Sequence, residues 1–396
     1  MRKYVREGDT LWGLSLLFDV PFRLVLDSNP GLQPETMGVG QPVEIPGYRW
    51  NDYRIRAGDT LWRIAAANGI SVHLLLAANP ALNAYSLQIG DTVRVPFRVT
   101  ERIVNPKREY TSEAMRNDVN ALAELYPFMR TGSFGRSVMG KELTEIQIGA
   151  GGKTVHANAS IHANEWITTP VLMAFLNDFL LALTNSSDMK GIAVYPYYET
   201  ATLSLVPMVN PDGVDLVVSG LPREEPYRSE ALAINEGSYN FDGWKANIRG
   251  VDLNKQFPAL WERDAAQGPQ RPAPRDYSGT APLTEPESQA LAGLTRQSGF
   301  RRVLAFHTQG KVLFWGFEGL EPPESERLAA EFAAVSGYEA VRYVDSTAGY
   351  KDWFIQDWRL PGFTIELGKG TNPLPLSQFD ELFDAASAIL LAALYM

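Results

Sequence analysis

Four histidines occur in the chain, His73, His156, His162 and His307, and there is no cysteine. Cysteine nucleophiles, disulfides and thiolate zinc knuckles are therefore excluded, and any nitrogen-ligated metal must use this small histidine set. His162 follows the run Thr154–Ile161, which reads as a strand, and Glu165 comes one short turn later. His307 follows a second apolar run, Arg302–Phe306. Two imidazoles and one carboxylate would leave one position of a tetrahedral zinc open for chemistry. Hydrolysis at such a site also needs a general base. Glu366 is a candidate. It lies in the apolar segment FTIEL, sharing a face with Thr364 and opposing Phe363, Ile365 and Leu367. A carboxylate there needs a partner or a function, and a buried structural ion pair is the competing reading. His73 reads as a surface or packing residue, and His156, which shares strand parity with His162, as structural rather than facing the cleft.

These side chains need a framework. From about residue 100 onward, strand-like and helix-like segments alternate. Leu203–Val209 and Gly362–Leu367 read as further strands. Trp166–Thr184 reads as a long helix, and Thr284–Gln297 as a helix opened by a Thr284/Glu287 capping box. Ala385–Met396 reads as a terminal core helix, and the proline- and charge-rich Glu262–Tyr277 as a surface loop. The alternation predicts an α/β fold, a sheet with helices on both faces and ligands beyond the carboxyl ends of its strands. The chain is 396 residues long, 45% apolar and 21% charged, with a formal net charge of -10. That composition is of the globular kind, and so acidic a chain is a poor general binder of nucleic acid. No apolar run reaches the roughly 18 residues of a membrane span, since Asn177 and Asp178 interrupt the nearest. Met1–Asp9 is polar and has no apolar core of a secretory signal.

The first hundred residues are a duplication at an offset of 50. Tyr4–Trp12 recurs as Tyr53–Trp62, Asn29-Pro30 as Asn79-Pro80, and Val43–Pro46 as Val93–Pro96. Each copy reads as a strand, a Gly-Asp-Thr turn, two short helices and a closing strand, β-α-α-β. The GDTLW turn, the Asn-Pro after the second helix and the closing strand ending in proline resemble the lysin motif, LysM, over residues 2–47 and 52–97. Gly47–Asp52 reads as the linker between them. The resemblance implies binding of N-acetylglucosamine-containing glycans such as peptidoglycan. Its groove maps onto Gly8, Asp9, Thr10, Asn29 and Pro30, and onto Gly58, Asp59, Thr60, Asn79 and Pro80.

The remainder, 107–396, resembles the zinc carboxypeptidases. SIHANEW at Ser160–Trp166, MVNPDG at Met208–Gly213, GVDLNKQFP at Gly250–Pro258, AFHTQG at Ala305–Gly310, DWF at Asp352–Phe354 and TIELG at Thr364–Gly368 occur in the family's order. The implied fold is a mixed sheet flanked by helices. The implied cofactor is one zinc ion per chain on His162, Glu165 and His307, with Glu366 as base and then acid. Arg249 would stabilise the oxyanion. Asn254 and Lys255 would hold a terminal carboxylate, with Lys255 standing where the family usually has arginine. Tyr350 is one candidate for the family's mobile tyrosine, the neighbourhood of Tyr343 another. Lys351 falls at the floor of the side-chain pocket and would favour a substrate side chain bearing a carboxylate, such as diaminopimelate. LysM modules joined to this family resemble the γ-D-glutamyl-meso-diaminopimelate peptidases of bacteria. The expected activity is thus cleavage of peptidoglycan stem peptides. An ordinary carboxypeptidase acting on protein C-termini, or a non-catalytic wall-binding protein, is the alternative. The expected location is the cell wall or spore, or the cytoplasm.

Overall fold

A computed structural model describes residues 1–33, 37–83, 87–344 and 347–396. They form two compact units. One comprises Met1–Ile103, Val119–Arg130 and Asn177–Tyr195; the other comprises Val104–Asp118, Thr131–Leu176 and Pro196–Met396.

In the first unit, β1 (Arg2–Tyr4), α1 (Leu11–Phe18), α2 (Phe22–Asp27) and β2 (Pro42–Glu44) form one repeat. The second consists of β3 (Tyr48–Arg54), α3 (Leu61–Ala67), α4 (Val72–Ala78) and β4 (Thr92–Arg98). Each pair of strands is antiparallel, with Lys3 opposite Val43 and Tyr53 opposite Val93. Gly8 and Gly58 both have φ +83°, a left-handed turn that favours glycine. Thr10 and Thr60 then cap α1 and α3, accepting from the amides of Gly13 and Arg63 at 2.9 and 3.2 Å. Ile55, Ile64, Leu75 and Val93 close the core of the second repeat. The expected linker is structured, because Tyr48–Asp52 lies within β3 and pairs with residues Arg94–Arg98 of β4. This unit also takes in later stretches of chain. The Gly47 amide donates to Leu125 O at 2.9 Å, Arg98 Nη1 to Thr184 O at 2.7 Å, and the Ile103 amide to Asn177 Oδ1 at 2.9 Å. A Cβ at Gly47 would come within 2.9 Å of the Thr184 side chain.

The second unit is built on an eight-stranded sheet. Its early strands are β5 (Arg130–Arg136), β6 (Glu142–Gly149) and β7 (Lys153–Ala159). A small hairpin, β8 (Asp188–Met189) and β9 (Ile192–Ala193), belongs to the first unit. Then follow β10 (Ala201–Val206), β11 (Arg302–His307), β12 (Val312–Phe314), β13 (Glu339–Val341) and β14 (Gly362–Glu366). The order is β13-β12-β14-β11-β7-β10-β6-β5. The middle strands β14, β11, β7 and β10 are parallel, with β6 and β12 antiparallel to their inner neighbours. Every residue of β11 is buried, as expected for a parallel strand covered on both faces. Val303 and Ala305 pack in a core with Leu291 of the helix Pro286–Ser298 and Ile355 of the helix Tyr350–Trp358. On the opposite face, Phe363 meets Phe332 of the helix Glu324–Ser336 with ring centroids 4.8 Å apart.

One local expectation fails. The helix Pro286–Ser298 starts two residues late, with proline in its first turn and no side-chain cap on its N-terminus. Thr284 instead donates its hydroxyl to Gln256 Oε1 at 3.0 Å, and Glu287 accepts the Val138 amide at 3.0 Å. Long-range hydrogen bonds thus replace the local box. Among the described residues, one helical stretch, 163–185, is long and apolar enough to cross a membrane, and 89% of its most apolar window is buried.

Candidate active site

Three strand ends assemble the site. After β7 the chain turns through Ser160, which has φ +48°, and enters a short 3-10 turn, Ala163–Glu165, preceded by His162. Hydroxyls fix this corner. Ser160 Oγ lies 3.0 Å from Thr168 Oγ1 and 2.7 Å from Thr169 Oγ1, Thr168 donates to Glu165 O at 2.8 Å, and Thr169 donates to Pro207 O at 2.6 Å. His307 is the last residue of β11 and Glu366 the last of β14, paired in register. All lie at the carboxyl ends of parallel strands, where α/β sheets place ligands.

His162 Nδ1 is 2.9 Å from Glu165 Oε1, and His307 Nδ1 is 3.0 Å from Glu165 Oε2. The two Nδ1 atoms are 3.1 Å from each other. His162, Glu165 and His307 are all buried. On the far side of its ring, His162 Nε2 meets Asp252 Oδ1 at 3.1 Å. A hydrogen on Nε2 facing Asp252 turns a lone pair on Nδ1 toward the centre. Nitrogen lone pairs and a carboxylate that converge so closely are satisfied together by a cation. Two imidazoles and an acid, with a carboxylate orienting one ring, form a donor set that suits zinc. The residues present therefore fit one metal ion, and among the described residues they are the only such cluster of three or more ligands.

The electrostatics follow from the crowding. Burial opposes charge on His162, yet Glu165 and Asp252 outweigh it and raise its pKa to about 9. Burial likewise opposes ionisation of Glu165, but the two histidines hold it well below the ordinary carboxylate range. Burial lowers His307. Glu366 is pushed up to about 8, by burial first and then by the negative charge of Glu165.

Two clefts open at this centre, with volumes of about 430 and about 240 Å³; His162, Lys245 and Glu366 line both. The smaller also receives Asn254, Lys255 and Lys351, three of the expected substrate contacts. Lys255 Nζ lies 2.8 Å from Asp264 Oδ1, and Asn254 Oδ1 accepts the Tyr350 amide at 3.1 Å. Lys351 is buried, with Nζ 2.8 Å from Gly316 O and 2.5 Å from Asp352 Oδ1. Tyr350 does not present its side chain to either cleft. Its ring packs against Phe257 and Trp353, and its hydroxyl lies 2.9 Å from Thr295 Oγ1 in the core. Tyr343, the other candidate, bonds to Glu321 Oε1 at 3.1 Å. Arg249 lines neither cleft. Its side chain is 47% exposed and faces Glu285 at 3.5 Å. Lys245, which the sequence did not single out, is a cation that lines both clefts. Burial opposes its charge, but Asp252, Glu165 and Asp276 outweigh that and raise its pKa. The sequence shows only a lysine in the run Trp244–Asn247, and its buried neighbours Trp244, Ala246 and Asn247 emerge in the structure. His156 is buried against Phe300 and bonded to Ser204, and His73 lies exposed on the surface.

In the repeats, the expected glycan residues are largely committed to the fold. Asp9 Oδ2 accepts from the Arg6 amide and meets Lys3 Nζ at 2.5 Å; Asp59 Oδ2 accepts from the Arg56 amide and the Tyr53 hydroxyl. Asn29 donates to Val25 O and Glu44 O and accepts from the Glu44 amide, and Asn79 repeats the pattern with Leu75 and Arg94. Gly8, Gly58, Pro30 and Pro80 remain exposed. A separate cavity of about 840 Å³ in the first unit is lined by Tyr48, Trp50 and Arg49 among others, and by none of these expected contacts.

A mixed sheet whose strand ends bear two histidines and two glutamates around one metal position defines a single-zinc peptidase. Residues 115–386 match the zinc carboxypeptidase family, and residues 4–46 and 53–96 match the LysM domain. The chain belongs to the zinc carboxypeptidase family, and is a zinc metallopeptidase with two LysM domains. It is 59% identical over 392 residues to gamma-D-glutamyl-L-diamino acid endopeptidase 1 of Lysinibacillus sphaericus, covering 99% of each chain. It is 44% identical over 304 residues to the uncharacterized protein YqgT of Bacillus subtilis, covering 75% of this chain and 80% of that one. Among solved structures it resembles carboxypeptidase A of Helicoverpa armigera in fold, with TM-score 0.55 and 17% identity over 81% of this chain and 79% of that one.

Proposed function

We propose that the chain hydrolyses the γ-D-glutamyl-meso-diaminopimelate amide of peptidoglycan stem peptides, while its LysM domains bind N-acetylglucosamine-containing glycan. The observation that carries this reading is Glu366 in register with His307, at the junction of two clefts of which one holds Asn254, Lys255 and Lys351. The relative from Lysinibacillus, a gamma-D-glutamyl-L-diamino acid endopeptidase by name, supports the choice of bond.

His162, Glu165 and His307 would hold zinc, which when bound supplies Lewis-acid polarisation of water and of the amide carbonyl. Asp252 keeps the His162 ring oriented by its bond to Nε2. Glu366 takes a proton from the attacking water and later delivers it to the departing amine. Lys245, rather than Arg249, faces the carbonyl oxygen as negative charge develops there. Asn254 and Lys255 receive the carboxylate next to the new amine. Lys351 receives the carboxylate at the far end of the diaminopimelate side chain, sharing its charge with Asp352. The exposed turns around Gly8, Pro30, Gly58 and Pro80 offer backbone to the sugar, with Asp9, Thr10, Asn29 and their counterparts Asp59, Thr60, Asn79 shaping those turns from within.

The test is mass spectrometry of products from L-Ala-γ-D-Glu-meso-diaminopimelate, alongside ordinary L-peptides. Release of L-Ala-D-Glu is expected, with turnover lost on chelation and restored by zinc. Glu366→Gln should keep stoichiometric zinc yet lower kcat by about 10²- to 10⁴-fold. Preference for L-peptide C-termini would overturn the reading.

A further inference from the structure

The two clefts differ in charge. The one holding Asn254, Lys255 and Lys351 also carries three acids, Asp252, Asp276 and Asp352. The other contains no acid beyond Glu165 and Glu366 of the centre itself. Its further ionisable side chains are Lys245 and Arg275, and neutral groups such as Asn164, Gln309 and Asn372 complete it. On the reading above, the first cleft takes the amine product. The second must then take the acyl component.

Chemistry fixes what that component brings. A glutamyl residue joined through its γ-carbonyl leaves its α-carboxylate free. An anion therefore enters the second cleft a few bonds from the scissile carbonyl. Lys245 faces the reacting centre, so Arg275 is the cation left for this second charge. It is held in place by backbone. Pro274 O accepts the amides of Lys245 and Ala246 at 2.8 and 3.0 Å, tying the loop to the segment that bears Lys245. Arg275 Nε donates to Asp276 Oδ2 at 2.9 Å, and the side chain remains 58% exposed, open to a ligand. A guanidinium steadied through Nε can offer its other nitrogens to a carboxylate as a pair.

We propose that Arg275 is a specificity residue that receives the free α-carboxylate of the γ-linked D-glutamyl unit on the acyl side of the cut; this rests on the function proposed above. The stretch 262–277 reads from the sequence as a surface loop, but it begins within the helix Trp261–Ala265 and buries Asp264 and Tyr277; its Arg275 thereby selects the acyl group.

The experiment compares two substrates on the zinc-loaded full chain. One is L-Ala-γ-D-Glu-meso-diaminopimelate; the other is the same peptide with the glutamyl α-carboxylate converted to a carboxamide. The wild type should favour the acid by about tenfold or more in kcat/KM, as loss of a charge-assisted pair implies. Arg275→Gln should bring the ratio near one, and Arg275→Lys should restore part of it. A wild-type ratio near one, or a ratio that survives in Arg275→Gln, overturns the assignment while leaving the bond specificity standing. Failure of the wild type to cleave either peptide at this bond overturns the functional reading and this inference with it.

Discussion

At the scale of single residues, two buried carboxylates do different work. Asp252 is held well below its ordinary value, although burial opposes this, because His162 and Lys245 surround it. It acts through the His162 ring, so Asp252→Asn should weaken zinc binding by about 10- to 100-fold. Competition with a graded chelator measures this directly. Glu287 is the opposite case. Burial, with the nearby charges of Asp212 and Glu285 added, raises it from 4.5 to about 7, despite the Val138 amide it accepts. Between those values the folded chain keeps a proton that the unfolded chain has released. Stability must therefore fall as pH rises through that window, by as much as about 3 kcal/mol. Glu287→Gln keeps an acceptor for Val138 and removes the titration. Denaturant midpoints at pH 4.5 and pH 8 should then converge for the variant relative to the wild type.

The metal donors were legible in the sequence because strand ends are easy to see. His307 follows the apolar run Val303–Phe306, as parallel strands read, and His162 follows Thr154–Ile161, where polar and apolar residues alternate as along a strand. Lys245 was not legible, because it stands in an irregular segment whose path is set by Pro274, 29 residues further on. Arg249 was chosen for its place before GVDLN, a position that the turn around Asn247 directs toward Glu285. Tyr350 shows a related effect. It opens a helix, and its neighbour Lys351 reaches the cleft while its own ring faces the core.

At the scale of elements, the repeats show how a 45-residue unit holds together with a small core. One asparagine in each copy stitches the second helix to the closing strand. Asn29 bonds to α2 and β2, and Asn79 to α4 and β4. Removing the side chain leaves strand groups without their partners, so Asn79→Ala should destabilise its repeat by about 1–3 kcal/mol. Hydrogen exchange at the amides of β3 and β4 would register the loss locally. The sequence revealed the helices and caps of each repeat, since Thr10 and Thr60 announce them. It showed a strand from Tyr53 but concealed the first part of β3, because Arg49, Asn51 and Asp52 look like linker. The strand exists because Arg94–Arg98 lies alongside as a partner, some 45 residues away.

At the scale of the whole molecule, the compact first unit is not the first hundred residues. It includes Val119–Arg130 and Asn177–Tyr195, which come from the peptidase part of the sequence. A fragment beginning at residue 104 would strip these stretches of Gly47, Arg98 and Ile103, the groups that satisfy Leu125 O, Thr184 O and Asn177. Its melting temperature should drop by several degrees at least, since each lost kcal/mol shifts a domain of this size by about 2–4 °C. Differential scanning fluorimetry of the fragment beside the full chain checks this. Gly47 sharpens the point. With its backbone left-handed and Thr184 pressed against where a side chain would begin, it tolerates no replacement. A cut made just before residue 104 would therefore pass through the interior of this first unit rather than through a tether.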